Sequence, residues 1–384
     1  MRGDVPRHAA ADRTPTRIVL RDRSSVMSRA AVEVFVCGGT GVVGSALVRQ
    51  LRRAERNVVG VELRGFCSSS AIFRASASEE DARAPLASAN VSDEEILSCC
   101  SSANAVVCVV DCTSSDAVSQ RYAAWLERGW HVVTCNKKAN SGDLAYYARC
   151  VEATKSPGGG KWLVEATIGA GLPIVSTLRT LRSTGDTVES VQGIFSGTMS
   201  FLFNTWDGVS PFSEIVAQAK AAGYTEPDPR EDLNGLDVAR KVVIAARECG
   251  LTHISLADVK VESMVPSHLE SCSPDEFMRR LSENDAAMEA RAKMASKEGC
   301  VLRFVGKVDA ATGEASVSLA KFSTSHPFAT LSGADNIFEM KTARYGPSGK
   351  STPLIIRGPG AGAEVTAAGV FGDIVALAKN VGLA

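Results

Sequence analysis

The chain has 384 residues, 45% of them apolar, enough to fill the cores of two ordinary domains. Its formal charge of −1 lacks the basic surplus that nucleic acid or an anionic membrane selects, and no apolar run approaches the roughly 18 residues of a membrane helix. Eleven cysteines are scattered, with no CxxC pair or Cys/His cluster at zinc spacing, and Cys37, Cys108 and Cys135 lie inside strand-like runs. That usage fits small buried apolar residues in a reducing compartment, the cytoplasm above all.

Residues 1–30 carry seven Arg against three Asp and show little periodicity, so they are expected to form a disordered arm outside the fold. Met27 offers an alternative translation start, and an organellar leader is the rival account, which Asp4, Asp12 and Asp22 count against. Val32–Cys37 reads as a buried strand, and the following GGTGVVGSALVRQLRR as a turn and helix with Leu47, Val48 and Leu51 on one stripe. Val58–Val61, Val106–Asp111 and His131–Cys135 read as further strands, with helices over Ala117–Arg128 and Leu144–Glu152. Strand and helix in alternation imply a parallel sheet covered on both faces. After the SPGGG loop the pattern changes to longer strands mixed with helices (Phe212–Ala222, Asp237–Cys249, Pro274–Lys297), a hairpin (Val301–Lys307, Ala315–Leu319) and a small-residue helix, Val365–Val381.

Gly39-Thr40-Gly41-Val42-Val43-Gly44 fits GxGxxG, follows a strand and opens a helix. Glycines there let the backbone turn tightly and bring a pyrophosphate to the free N–H groups of a helix N-terminus. The expected fold is therefore α/β. A Rossmann-type parallel-sheet nucleotide-binding domain spans 31–160 plus 360–384, and an α+β catalytic domain, 161–359, is inserted before the last helix. Glu62, placed at the end of the second strand, would hold the ribose hydroxyls of NAD, whereas Arg64 would meet the 2′-phosphate of NADP. The two argue oppositely, with a slight lean to NADP.

The most informative segment is Gly223–Lys241, GYTEPDPREDLNGLDVARK. Pro227 and Pro229 stiffen a loop bearing Glu226, Asp228, Glu231 and Asp232, and a helix begins near Gly235. Asp237 and Lys241 are four apart and share a helix face. Beside an acidic loop they could hold an ammonium group and manage a proton. On spacing alone, a solvated salt bridge is the commoner meaning of this pair.

This segment resembles the signature of homoserine dehydrogenases almost residue for residue. The resemblance extends through Asp111–Ser115 (DCTSS), Asn136–Asn140 (NKKAN), Gly169–Pro173 (GAGLP), Gly193–Thr198 (GIFSGT) and Gly360–Ala367 (GAGAEVTA), and so covers residues 31–384. It is especially close to the dehydrogenase half of bifunctional aspartokinase–homoserine dehydrogenases. The resemblance implies that L-homoserine and L-aspartate 4-semialdehyde are interconverted with NADP or NAD, in threonine, methionine and isoleucine biosynthesis. It makes Lys241 the proton donor and acceptor and puts Lys137 near the nicotinamide and the carbonyl. Asp237, Glu226 and Asp232 then hold the amino acid, with Gly197 and Thr198 in the substrate loop. Thr113 and Gly362 touch the cofactor. Glu165 with the carbonyls of Ile168, Ala170 and Leu172 matches a loop for a monovalent cation, although a Gly-rich turn capped by a carboxylate explains it as well. The inserted domain would also pair two copies into a homodimer. Three features depart from the pattern: Cys135 before Asn136, Glu231 for a commoner Asp, and residues 65–90, which match nothing. The resemblance ends at Ala384 with no counterpart of the regulatory domain of many bacterial relatives, so threonine is expected to inhibit weakly.

Such a reaction needs a cation to stabilise oxygen charge as hydride arrives, and a proton for that oxygen. Two lysines suit it, and the residues leave open which does which. One rival is an acylating aldehyde dehydrogenase with Cys112 as nucleophile, which needs a nearby base. The other is a cofactor-sensing regulator without turnover.

Overall fold

The computed structural model describes residues 31–54, 60–75, 83–85, 90–100, 102, 105–346 and 352–383. The arm expected over residues 1–30 lies outside them. Among the described residues two sheets organise the chain. The first holds seven strands in the order β4-β3-β2-β1-β5-β6-β7: β1 (Val32–Cys37), β2 (Val61–Cys67), β3 (Ala71–Arg74), β4 (Arg83–Pro85), β5 (Val106–Asp111), β6 (His131–Thr134) and β7 (Trp162–Leu163). Its central strands β2, β1, β5, β6 and β7 run parallel, while β3 and β4 add antiparallel edges. All six residues of β1 are buried, as befits a strand covered on both faces.

The second strand differs from its expected place. It starts at Val61 and runs to Cys67, in register with β1 from Val32↔Val61 to Cys37↔Cys67. Its inward residues are Val61, Leu63, Gly65 and Cys67, a period-2 pattern rather than a continuous apolar run. Glu62 therefore sits at the start of β2 and Arg64 at its middle, both short of the end that meets the glycine loop. The interdomain boundary also shifts, because Trp162 and Leu163 pair with β6 and belong to the first sheet. The expected helix 117–128 is two short ones, Asp116–Ser119 and Tyr122–Glu127, and 274–297 is broken by a 3-10 turn at Leu281–Asn284.

The second sheet has the order β13-β12-β8-β10-β11-β9, built from β8 (Val188–Ile194), β9 (Val259–Val261), β10 (Cys300–Asp309), β11 (Glu314–Ser323), β12 (Asp335–Thr342) and β13 (Leu354–Pro359). Alternation sends Val191, Phe304, Val308, Val317, Phe338 and Met340 into the main core with Val238, Val242 and Val243 of the helix Leu236–Glu248. On the far face Phe328 and Leu331 pack with Ile194, Val305 and Ile337, and with Ala320 and Phe322 partly buried beside them. The last helix, Ala363–Asn380, returns to the first sheet, where Ala367, Val370, Ile374 and Leu377 pack with Val34, Val36, Leu47, Leu51 and Val110. It lies beside the helix Val42–Ala54, so the inserted-domain topology expected from the sequence is what the chain adopts.

Candidate active site

The glycine loop occupies the carboxyl ends of β1 and β5, where the strand order turns outward in both directions, the place such sheets bind ligands. The loop is held by the Gly39 N–H donating to the Cys67 carbonyl (2.9 Å) and the Gly41 N–H to that of Gly38 (3.0 Å). A Cβ on Gly44 would lie 2.1 Å from the Gly38 oxygen, so helix and turn can pack only with glycine there. A Cβ on Gly41 would meet only that same oxygen, at 3.3 Å, which leaves the outer side of the turn open for a phosphate. Thr40 and Gly41 are exposed, Val42 is 78% exposed, and Val43 is partly covered. These residues fit a dinucleotide.

Across the switch point, Asp111 organises the neighbouring turn. Its buried carboxylate accepts from the Thr113 N–H (2.7 Å), the Asn136 amide (3.0 Å) and the Tyr122 hydroxyl. Burial raises its pKa, against the pull of those donors. Asn136 also donates to the Ser115 carbonyl (3.0 Å) and accepts from the Lys138 N–H (3.0 Å), which fixes the backbone on both sides of Lys137. Asp111 and Asn136 were quoted in motifs but given no role. Their signal was polar side chains in runs otherwise fully buried. Gly362, at φ 124°, opens the last helix.

Lys137 faces the inserted domain. Its ammonium lies 3.2 Å from one oxygen of Asp237, and Lys241 lies 2.8 Å from the other. One carboxylate thus joins two lysines from different domains. Burial pushes Asp237 up, but the ammonium groups of Lys241 and Lys137 outweigh it and hold the carboxyl well below the usual range. Lys241 is only 13% exposed and also donates to the Phe195 carbonyl (2.8 Å). The helix that carries both residues starts after Gly235 at φ 73°, with Leu236 N–H held by the Asn234 side chain (2.8 Å). The Asp237/Lys241 pair is therefore part of a cleft, not of a solvated helix face.

A cavity of about 500 Å³ adjoins this pair, lined by Lys137, Ser196, Glu226, Glu231, Asp232 and Asp237, with Asn234, Leu236, Val238 and Arg240. A larger hollow of about 660 Å³, between Trp206–Val209 and the helix Asp285–Lys297, lies away from all of these residues. Asp232 accepts the Glu226 N–H (2.8 Å) and lies 2.8 Å from the Thr198 hydroxyl, which has the Tyr224 carbonyl at 2.7 Å as a second acceptor. Burial raises the Asp232 pKa. Gly197 begins the helix that carries Thr198, and Ser196 caps it by accepting the Met199 N–H (3.2 Å). Asp228 is turned to Arg230 (2.6 Å) and stays out of the cavity. Sequence reasoning assigned no role to Ser196 or Arg240.

The placement of Glu62 and Arg64 differs from the expected one. Arg64, in the middle of β2, pairs with buried Glu33 (2.7 Å from its Nε) and Glu62 (3.4 Å), so both residues stand short of the carboxyl end of the strand, where the glycine loop lies. The loop after β2 is Ser68-Ser69-Ser70, where the Ser68 hydroxyl accepts the N–H groups of Ser70 (3.2 Å) and Ala71 (3.0 Å). The Glu165 carboxylate accepts from Val175 N–H (2.7 Å) and Ser176 N–H (2.8 Å), capping the helix Val175–Ser183, and the Leu172 carbonyl takes the Ile174 N–H (2.8 Å). The Glu165 carboxylate is thus spent on capping, the alternative the sequence offered for this Gly-rich turn. The Cys112 thiol is pushed up by its hydrogen bond with Cys135 and by burial, and His131, lowered to about 4 by burial, begins β6 at the far end from Cys112. No thiolate–base pair exists there.

Comparison with known proteins covers both domains. The model "Homoserine dehydrogenase, NAD binding domain" matches residues 39–165, and the homoserine dehydrogenase model matches residues 173–375. Homoserine dehydrogenase of Saccharomyces cerevisiae is 42% identical over 374 residues, covering 92% of this chain and all of that protein. A chloroplastic bifunctional aspartokinase/homoserine dehydrogenase of Zea mays is 51% identical over 275 residues, 71% of this chain. The chain spans only 29% of that plant protein's length. Among solved structures, a Candida auris protein of unknown function superposes with a TM-score of 0.83 at 38% identity, over 91% of this chain and 99% of that one. A glycine loop at the switch point, a carboxylate joining two lysines across the cleft, and family matches over both halves lead to one conclusion: this chain belongs to the homoserine dehydrogenase family.

Proposed function

We propose that the chain interconverts L-homoserine and L-aspartate 4-semialdehyde, with NAD or NADP as hydride carrier. The observation that carries this reading is Asp237, shared by Lys137 and Lys241 at the wall of an acidic cavity. When bound at the glycine loop, the nicotinamide cofactor supplies or accepts the hydride. The chain's residues do the rest. Glu226 and Glu231, which have no hydrogen-bonding or ionic side-chain partner among the described residues, attract the substrate's ammonium. Lys137, on the cavity wall, stabilises charge on the C4 oxygen as it develops. Lys241 lies one layer deeper and exchanges that oxygen's proton. Asp237, its carboxyl held low by the two ammonium groups, keeps both of them on one point. Assay of the purified protein with L-homoserine and either cofactor tests the reading: turnover is expected, and none with both cofactors overturns it.

The serine loop Ser68–Ser70, hydroxyl-rich and lacking acid or base, supports use of both cofactors with KM values within about tenfold of each other. A monovalent cation is left with the backbone carbonyls of Ile168 and Ala170, and no step is routed through it. The far face of the second sheet, bearing Gln192, Lys307, Ser318, Lys341 and Arg357, is the proposed contact with a second copy.

A further inference from the structure

The cavity's charges do not balance within the protein. Asp237 is spent on Lys137 and Lys241, and Asp232 on the Glu226 N–H and the Thr198 hydroxyl. That leaves Glu226 and Glu231 on one side and Arg240 on the other. Arg240 lines the cavity, half-buried, and no described residue gives its guanidinium a hydrogen bond or an ion pair. It also borders an adjoining hollow, but there Asp116 is taken by Lys138 (2.7 Å) and Asp143 by the Tyr146 N–H (2.8 Å). A partly covered guanidinium beside engaged carboxylates is a binding group awaiting an anion.

We propose that Arg240 holds the α-carboxylate of the amino-acid substrate, an inference that rests on the reaction proposed above. An α-amino acid brings one ammonium and one carboxylate, the complement of the two free acids and the one free base. Without a cation, the acidic rim would repel that carboxylate. Arg240 stands three residues after Asp237 on one rigid helix, where Cβ atoms are about 5–6 Å apart. The carboxyl carbon of homoserine is three carbon–carbon bonds from C4, so an oxygen near the Lys137–Asp237–Lys241 group leaves the carboxylate within reach of Arg240. The planar guanidinium can take both carboxylate oxygens, which gives chain length and handedness a fixed reference.

The test compares the parent with Arg240→Gln and Arg240→Lys. L-Homoserine is the substrate. 3-Aminopropan-1-ol, which keeps the ammonium and alcohol but lacks the carboxylate, is read as a competitive inhibitor and needs no turnover. Arg240→Gln should raise the KM for homoserine roughly 10- to 100-fold, as loss of hydrogen bonds to a charged group does. Its kcat should stay within about threefold, since the carboxylate is bound alike in ground and transition states. The inhibition constant of 3-aminopropan-1-ol and the affinity for cofactor should not move, and Arg240→Lys should recover part of the loss. An unchanged KM, or equal losses on homoserine and 3-aminopropan-1-ol, would overturn the assignment. A parent that fails to oxidise homoserine at all would overturn the reaction instead.

Discussion

Lys137 and Lys241 share one carboxylate, yet they are not equivalent. Lys241→Ala should lower kcat by about 10²–10⁴, the usual cost of losing a positioned proton-transfer group, with cofactor affinity by nucleotide fluorescence unchanged. A loss of less than about threefold would assign the proton to Lys137 or water and leave Asp237/Lys241 an ordinary salt bridge. Arg64 makes the opposite kind of prediction. Arg64→Ala should leave the KM for both cofactors unaltered, because the residue sits mid-strand in β2, three residues short of its carboxyl end, and is engaged by Glu33. It should instead destabilise the protein by about 3 kcal/mol in denaturant unfolding, since Glu33, 1% exposed, loses its cationic partner. A selective rise in the KM for NADP would contradict this placement. The face shared by Asp237 and Lys241 was legible from spacing of four. The ion pair with Lys137 was not, because nothing local in a sequence links residues a hundred positions apart. Glu62 and Arg64 were misplaced because residues 58–61 form a continuous apolar run, whereas β2 alternates.

At the level of elements, the helix Leu236–Glu248 is the hinge of the site. Arg247, near its end, is buried and donates to the carbonyls of Asn140 (2.7 Å), Gly142 (3.0 Å) and Ile254 (3.1 Å), and its guanidinium stacks on Tyr147. The helix that carries Asp237 and Lys241 is thereby tied to the segment just after Lys137. The last helix has a different tie: Asp373 accepts the Glu165 N–H (2.9 Å). Burial, with added repulsion from Glu165, raises the Asp373 pKa to about 7. A carboxyl raised in the folded state contributes its stability below its ordinary value near 4, and that contribution is lost as pH rises through about 7. The protein should therefore lose on the order of 4 kcal/mol between pH 4 and 8 at this one group. Asp373→Asn, which can still accept the Glu165 N–H, should flatten that slope in thermal unfolding followed against pH. A slope identical to the parent's would assign it to other groups. The strong elements were legible because their apolar periodicity is long. The short ones were not, since β3 and β4 are antiparallel edges of three or four residues and β7 has only two.

For the whole molecule, the six-stranded sheet with one partly covered face predicts a dimer in solution. Light scattering should give twice the chain mass, and a monomer would count against that contact. The order of domains was readable because glycine loop and small-residue helix stand at opposite ends of the chain. The boundary was not, because two residues of β7 carry too little pattern to claim a strand. The return of the last helix also dictates how the chain must be born. The first six strands leave the ribosome more than 200 residues before Ala367, Val370, Ile374 and Leu377, the side chains that close their core. At about 5–20 residues per second, that apolar surface waits uncovered for roughly 10–40 s. Nascent chains arrested before residue 363 should be cut readily within β1–β6 by added protease, and full-length chains should resist. The inserted domain, contiguous in sequence, should gain its resistance first, although it comes second.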